Sequence, residues 1–311
     1  MKEASFSHQV KDELAHRLPG KRCCRTAELA ALVRVDGRLH LHGGDRHSLH
    51  LSSENAAVTR KSLRLFLDLY KVNGEISIRR SRLSRANNYL LYIDQRPELG
   101  QVLNELGILD DSLNLRAEIP GRLVRSDCCA ASFARGFFLG GGFVSHPRGQ
   151  YHMELVTESY QLAVITQELL GRFEIRPRMI EKQNRYTLYL KQAQAIVDSL
   201  ALIGAYSATL AWEEKRTVKE VRSTVNRLVN CDTANLNKAV KAAMAQMRDI
   251  MKIDAVMGLA NLPRALREIA EARLSNPQAN LVELGEACEP KLTKSAVYHR
   301  VRRLREYAAK L

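Results

Sequence analysis

The sequence is short of several features that would assign it to large classes of protein. Its most apolar stretch, residues 199–212, is shorter than the ~20 residues that a membrane-spanning helix needs. Its first 18 residues contain no apolar run of the kind that signal peptides carry. Acidic side chains are also in deficit, with 34 Asp and Glu against 48 Lys and Arg and a formal net charge of +14. We therefore expect a cytoplasmic protein without a membrane partner, and the basic surplus favours a polyanion such as nucleic acid.

Metal-binding sequence patterns are missing as well. Four of the six cysteines form the adjacent pairs Cys23-Cys24 and Cys128-Cys129, which lack the Cys-x-x-Cys spacing of zinc sites. We predict that they are reduced, buried thiols. Four histidines lie close together in the sequence without a cysteine nearby: His40, His42, His47 and His50. We expect no metal and no other cofactor at either place.

The composition and length that remain are those of a globular protein with more than one domain. Hydrophobic residues make up 45% and charged residues 26% of the chain, which excludes wholesale disorder, and 311 residues are enough for two or three domains. Residues 1–215 carry a net charge of +6, whereas residues 216–311 carry +8 on less than half that length. We predict one domain over 1–215 and a second, more densely basic domain over 216–311.

An internal repeat organises the first of these domains. The segments Cys23–Gly37 and Cys128–Gly142 match at an offset of 105 residues, which places Asp36 opposite Gly141. Each segment is followed by the pattern of two strands, a helix, two strands and a helix. The sequence therefore predicts an α+β fold with two αββαββα repeats, at about 1–110 and 120–205, related by a pseudo-twofold axis through their first helices.

The C-terminal third has the pattern of a helix-turn-helix. Asn280 can cap a short helix with Glu283 three positions later, and Thr293 can cap a second helix after a turn. The inner stripe of the second helix is predicted to be Val297, Val301 and Leu304. Further upstream, an apolar stripe at helical spacing is predicted to be core: Leu236, Val240, Ala243, Met244, Met247, Ile250 and Met251.

The outer face of the second helix carries the candidate DNA contacts, because 291–305 contains no acidic residue. In a helix-turn-helix the N-terminal side chains of the second helix face base edges. Those side chains are Lys294, Ser295, Tyr298 and His299. The side chains expected to meet phosphates are Lys291, Arg300, Arg302, Arg303 and Arg305.

A second group of basic side chains lies between the paired strands of the first repeat: Arg79, Arg80, Arg82 and Arg85. An arginine-rich hairpin can track DNA phosphates, but it can equally be a solvated hairpin tip. The sequence leaves both interpretations open.

The repeated segments resemble the paired motifs of LAGLIDADG homing endonucleases, in which a helix of small residues ends at an acidic residue before a strand. The resemblance implies close packing of the two helices, with metal held by one carboxylate at each helix end. Two-metal cleavage needs both carboxylates. Here Asp36 fills the first position and Gly141 fills the second, so we interpret both as vestigial nuclease positions and predict no catalytic residues.

A degenerate LAGLIDADG-like duplicate followed by an all-α helix-turn-helix domain resembles the WhiA family of bacterial regulators. The matching stretches include Lys21–Arg25, Ala27–Gly37, Gly136–Gly142 and the Asn-rich segment Val225–Lys238. The resemblance implies a nucleoid-associated transcriptional regulator that binds double-stranded promoter DNA and acts in cell division, chromosome segregation and sporulation. It also implies other transcription regulators as partners. The alternatives are an active homing endonuclease and a structural, chromosome-associated DNA-binding protein.

Overall fold

The computed structural model describes residues 5–42, 46–80, 87–94 and 97–311. The chain divides into two compact units, Met1–Lys219 and Glu220–Leu311. No helix among the described residues is both long enough and apolar enough to cross a membrane.

The first unit contains two copies of one αββαββα arrangement. The elements of the first copy are α2 (Arg22–Asp36), β1 (Gly37–Leu41), β2 (His47–Ser53), α3 (Ala56–Tyr70), β3 (Glu75–Arg80), β4 (Asn87–Ile93) and α4 (Pro97–Glu105), and α1 (Phe6–His16) precedes them. The elements of the second copy are α5 (Asp127–Gly141), β5 (Gly142–Val144), β6 (Met153–Thr157), α6 (Tyr160–Gly171), β7 (Arg178–Lys182), β8 (Arg185–Leu190) and α7 (Ala193–Ile203). The predicted α+β fold and its duplication are confirmed.

Each copy folds its strands into a four-stranded antiparallel sheet with the same strand order. The orders are β1-β2-β4-β3 and β5-β6-β8-β7. Alternation along the strands turns one face of each sheet inward, so that Leu49 and Leu91 are buried in the first sheet and Leu155 and Leu188 in the second. The helix that follows the second strand begins alike in both copies, because the side chain of Asn55 caps α3 and that of Ser159 caps α6.

The two copies meet through α2 and α5, as predicted. Small side chains allow the close approach, since Ala27, Ala31 and Ala134 are all buried. Gly136 is required at this interface, because a Cβ atom there would overlap the carbonyl oxygen of Glu28.

A buried ionic network crosses the same interface. Glu28 on α2 is fully buried and pairs with Lys61 on α3 and with Arg135 on α5, whose Nε lies 3.0 Å from Glu28 Oε2. Lys61 Nζ also donates to the carbonyl oxygens of Leu14 and Arg17, at 2.7 Å each. Glu28 therefore connects the two repeats directly, and through Lys61 it also connects them to the end of α1.

The second unit is entirely helical. Its elements are the C-terminal part of α8 (Tyr206–Met257), α9 (Arg264–Ser275), α10 (Leu281–Glu286) and α11 (Lys294–Lys310). The predicted caps are confirmed: Asn280 and Glu283 form a capping box on α10, and Thr293 Oγ1 accepts from the N–H of Ala296 at the start of α11. Of the predicted inner stripe of α11, Val297 and Leu304 are buried and Val301 is half-buried.

The apolar stripe predicted as core is largely exposed. Ala243 and Ile250 are buried, but the side chains of Leu236 and Met244 are 64% and 61% exposed. Val240 and Met251 are also exposed. The prediction was wrong because helical periodicity identifies an apolar face without showing that another element covers it.

Candidate nucleic-acid interface

The outward face of α11 displays polar and basic side chains. Lys294, Ser295, Tyr298 and His299 are all exposed in the first two turns, on the side away from buried Val297. Exposed residues at 295, 299 and 302 follow the helical repeat and so form one surface stripe. The structure thus brings the predicted base-facing side chains together on one accessible surface.

Most of the predicted phosphate-contacting side chains surround this stripe. Lys291, Arg302, Arg303 and Arg305 are exposed. Arg302 Nε lies 3.2 Å from Glu306 Oε1, an exposed pair one turn apart on the helix. Such a pair contributes a few tenths of a kcal/mol, so it is easily exchanged for a phosphate contact.

Arg300 is the exception among these basic side chains. Its Nη1 donates to the carbonyl oxygen of Ala265 at 3.1 Å and lies 3.4 Å from Glu268 Oε2, so its guanidinium packs on α9. In this structure Arg300 therefore holds α11 against α9, and its role as a phosphate contact stays a prediction. An acid-free run of sequence could not reveal this, because its acidic partner lies 32 positions earlier.

Close packing fixes the turn that positions α11. Gly285, near the end of α10, approaches the carbonyl oxygen of Leu292 so closely that a Cβ atom would overlap it. The backbone N–H of Leu292 donates to the carbonyl oxygen of Gly285 at 2.9 Å. Buried Leu284 and Val297 belong to the core of this unit, so the recognition surface rests on a packed support.

A second exposed surface of the same unit lies on α8. Residues 220–242 are exposed throughout, and they include Asn226, Asn230 and Asn237 at intervals that place them on one helix face. Arg222 and Lys241 extend that face in both directions. Amides and cations of this kind suit base edges and phosphates, but the Asn-rich sequence by itself did not predict the exposure.

The vestigial nuclease positions lie side by side at the C-terminal ends of α2 and α5. Burial raises the pKa of the Asp36 carboxyl to about 7, and the opposing effect of the Lys11 charge is smaller. Lys11 itself donates from Nζ to the carbonyl oxygen of Gly140 at 3.4 Å. A lysine of this chain therefore provides the positive charge next to Asp36.

Gly141 leaves no room for a carboxylate. A Cβ atom there would overlap the carbonyl oxygen of Val156 and would lie 2.9 Å from Val35 Cγ1. The second ligand is thus absent from the sequence and excluded by the packing.

The groove beside these positions is open and contains charges of both signs. A cavity of about 500 Å³ is lined by Asp36 and Glu158 together with Arg34, Arg38 and Arg185. Arg185 Nη2 lies 3.9 Å from Glu158 Oε1.

Of the arginines around the first hairpin, Arg79 and Arg80 are exposed on β3, whereas Arg82 and Arg85 lie outside the described residues. On the same sheet the rings of His40 and His50 are 4.4 Å apart, and burial lowers the pKa of His50.

The first unit consists of two pseudo-symmetric halves that meet through a pair of helices rich in small residues, and a capped helix-turn-helix follows it in the chain. This combination defines a LAGLIDADG-like protein with an appended nucleic-acid-binding module. Three family models match it: the WhiA N-terminal LAGLIDADG-like domain over 22–109, the WhiA LAGLIDADG-like domain over 130–222 and the WhiA C-terminal HTH domain over 225–308. Curated relatives agree. The chain is 44% identical to the probable cell division protein WhiA of Heliobacterium modesticaldum, over 98% of this chain and 96% of that protein. It is 42% identical to the protein of the same name from Desulforamulus reducens, over 99% and 96%. The chain belongs to the WhiA family.

Solved structures show the same architecture. The crystal structure of full-length DUF199/WhiA from Thermatoga maritima is 27% identical and matches 99% of both chains with a TM-score of 0.62. The structure of an N-terminal LAGLIDADG domain of DUF199/WhiA shares the fold of the first unit, with 24% identity, a TM-score of 0.52, and coverage of 64% of this chain and 90% of that one.

Proposed function

We propose that this protein is a sequence-specific DNA-binding transcriptional regulator and that α11 is its recognition helix. The observation that carries the proposal is the exposed stripe of α11, where hydrogen-bonding and cationic side chains lie opposite a buried apolar stripe. This is the arrangement with which a helix-turn-helix enters the major groove.

Different side chains of the helix have different tasks. Lys294 and His299 lie in its N-terminal half and are proposed to read base edges, together with Ser295 and Tyr298. Arg302 and its basic neighbours are proposed to bind phosphates, which orient the helix without distinguishing sequences.

The biological setting follows from the relatives, which are named as probable cell division proteins. We propose that the regulator binds promoters on the nucleoid and acts in cell division, chromosome segregation and, in sporulating bacteria, sporulation. Other transcription regulators are proposed partners. We propose that residues 216–311 read the DNA sequence and that residues 1–215 serve as a scaffold.

The scaffold is proposed to have no nuclease activity. Gly141 supplies no ligand and its surroundings exclude one, while burial raises the pKa of Asp36, which lies near the Lys11 charge. A two-metal cleavage site needs an accessible carboxylate at each helix end.

The test uses the full-length protein and a duplex that it selects from a random pool, with binding followed by fluorescence anisotropy at increasing salt. We expect Arg302→Ala to weaken binding to all duplexes about tenfold and to reduce the slope of log K against log salt by about 0.9, the value for one lost phosphate contact. Arg264→Ala is the matched control, because Arg264 is an exposed arginine of the same unit on α9. Equal effects of the two substitutions would refute the assignment of α11.

A further inference from the structure

The two cysteine pairs occupy equivalent places in the two repeats. Cys23 and Cys24 are the second and third residues of α2, and Cys128 and Cys129 are the second and third residues of α5. Because α2 and α5 pack against each other, four thiols from segments 105 positions apart meet at one end of the helix pair.

The sulfur atoms form a compact cluster. The Sγ atoms of Cys23, Cys24 and Cys129 all lie within 4.8 Å of one another, and within the described residues this is the only such group of three metal-ligating side chains. The fourth thiol, that of Cys128, is a hydrogen-bond neighbour of Cys24 and lies 3.4 Å from Ser126 Oγ. Cys24 and Cys129 are 5% and 3% exposed, whereas Cys23 and Cys128 are exposed and open a route from solvent.

The electrostatic surroundings favour thiolates once a cation is present. All four thiols lie in the first turns of α2 and α5, neither of which has a side-chain cap, so both helix dipoles act on them with positive ends.

We propose that Cys23, Cys24, Cys128 and Cys129 bind one soft divalent cation of the zinc class and thereby crosslink the two LAGLIDADG-like repeats. Tetrahedral thiolate sites have Zn–S bonds of about 2.3 Å, which correspond to S···S separations of about 3.8 Å. The Sγ atoms of Cys23, Cys24 and Cys129 need to approach one another by about 1 Å at most, and Cys128 Sγ, which lies outside that group of three, has to move further.

The binding step balances as one Zn²⁺ and four thiols giving a tetrathiolate complex of charge −2 and four released protons. Neither the oxidation state of sulfur nor that of the metal changes. The charge of −2 on the metal complex is stabilised by the positive ends of the helix dipoles of α2 and α5.

The site lies at the opposite end of the helix pair from the vestigial nuclease positions. Twelve residues separate Cys24 from Asp36, a distance of about 18 Å along the helix. The metal would therefore hold the two halves together far from the groove, in a structural role. The four ligands do not show Cys-x-x-Cys spacing in the sequence, because each helix supplies one adjacent pair of cysteines. The packing of α2 against α5 then brings the two pairs together.

The experiment uses the full-length protein, reduced and stripped of metal by a chelator without oxygen, then titrated with Zn²⁺ or Co²⁺. We expect about one Zn²⁺ per chain, release of protons, and a Co²⁺ spectrum with sulfur-to-metal charge transfer and the intense visible bands of tetrahedral coordination. Added Zn²⁺ should also raise the melting temperature and protect the cluster thiols from Ellman's reagent.

The decisive variant is Cys24→Ser with Cys129→Ser, which should lose the bound metal and the charge-transfer band. Cys288→Ser is the matched control, because Cys288 is a buried thiol of the second unit, and it should keep both. If the double variant fails to fold, the Co²⁺ spectrum and melting shift of the unmodified protein still decide. Absence of tetrahedral Co²⁺, equal Zn²⁺ binding by the double variant, or disulfides between the pairs in protein isolated without oxygen would each overturn the proposal.

Discussion

The C-terminal ends of α2 and α5 and the outer face of α11 are both charged surfaces, yet their side chains are in opposite states. At the helix ends, Asp36 is half-buried next to Lys11 and the second position is closed around Gly141. On α11, Lys294, His299 and Arg303 are exposed. At the helix ends the Asp36 carboxyl already lies near a lysine of the protein, whereas on α11 the cationic side chains are exposed to a partner.

This difference shows that charge alone does not locate function. Arg135 and Arg300 are as basic as Arg303, but each is bound to a carboxylate of its own chain. Arg135 and Arg300 hold helices together through carboxylates on other helices, whereas Arg303 is exposed and Arg302 pairs with an exposed carboxylate of its own helix, so both remain accessible to DNA.

The largest effect is expected at Glu28, the counter-charge of two buried cations. Glu28→Gln would leave Lys61 and Arg135 buried without a counter-charge, so the free energy of unfolding should fall by about 3–5 kcal/mol. Denaturant titration measures this change. The exposed Glu118→Gln is the control and should change it by less than about 0.5 kcal/mol. Similar values for the two variants would show that the network does not bind the repeats together.

Restoring the missing carboxylate would test whether the first surface is closed. Gly141→Asp should destabilise the protein by about 3 kcal/mol, because its Cβ atom would overlap Val156. It should not create metal-dependent cleavage of duplex DNA. Gly121→Asp is the control, since open space surrounds that glycine. Cleavage by Gly141→Asp would mean that only one ligand separates this scaffold from a nuclease.

A smaller effect is expected from the titration of Asp36. Its pKa is about 7 in the folded protein against an ordinary value of 3.8, so between those pH values the folded state keeps a proton that the unfolded state has lost. Its contribution to stability is therefore present at low pH and is lost as the pH rises towards 7. Asp36→Asn should therefore raise the free energy of unfolding by about 2 kcal/mol more at pH 8 than at pH 5.

Denaturant titrations at both pH values check this prediction. Asp232→Asn, at an exposed position of α8, should show no such pH dependence. An Asp36→Asn variant that is less stable at pH 8 would show that the ionised carboxylate stabilises this helix end.

Local patterns predicted the elements well. The 105-residue offset gave the duplicated αββαββα order, and Asn280 and Thr293 marked helix starts because a cap is a contact between residues two or three positions apart. The same locality explains why the outer face of α11 could be identified from sequence.

What the sequence missed depends on contacts between distant residues. Arg300 pairs with Glu268, and the cysteine pairs meet only when the two repeats pack. The stripe that includes Leu236 has helical periodicity, but whether another element covers it is a tertiary property. The closed space around Gly141 likewise comes from Val156 on β6.

The assignment of α11 as the recognition helix is tested by selection of duplexes from a random pool with the full-length protein. Unmodified protein should enrich one sequence motif, and Lys294→Ala with His299→Ala should lose about 1–3 kcal/mol of discrimination at some of its positions while keeping salt-dependent binding to all duplexes. Arg264→Ala should enrich the original motif unchanged. If the Lys294→Ala, His299→Ala protein enriched the same motif with equal discrimination, α11 would not be the recognition helix, because the reading surface would then lie elsewhere.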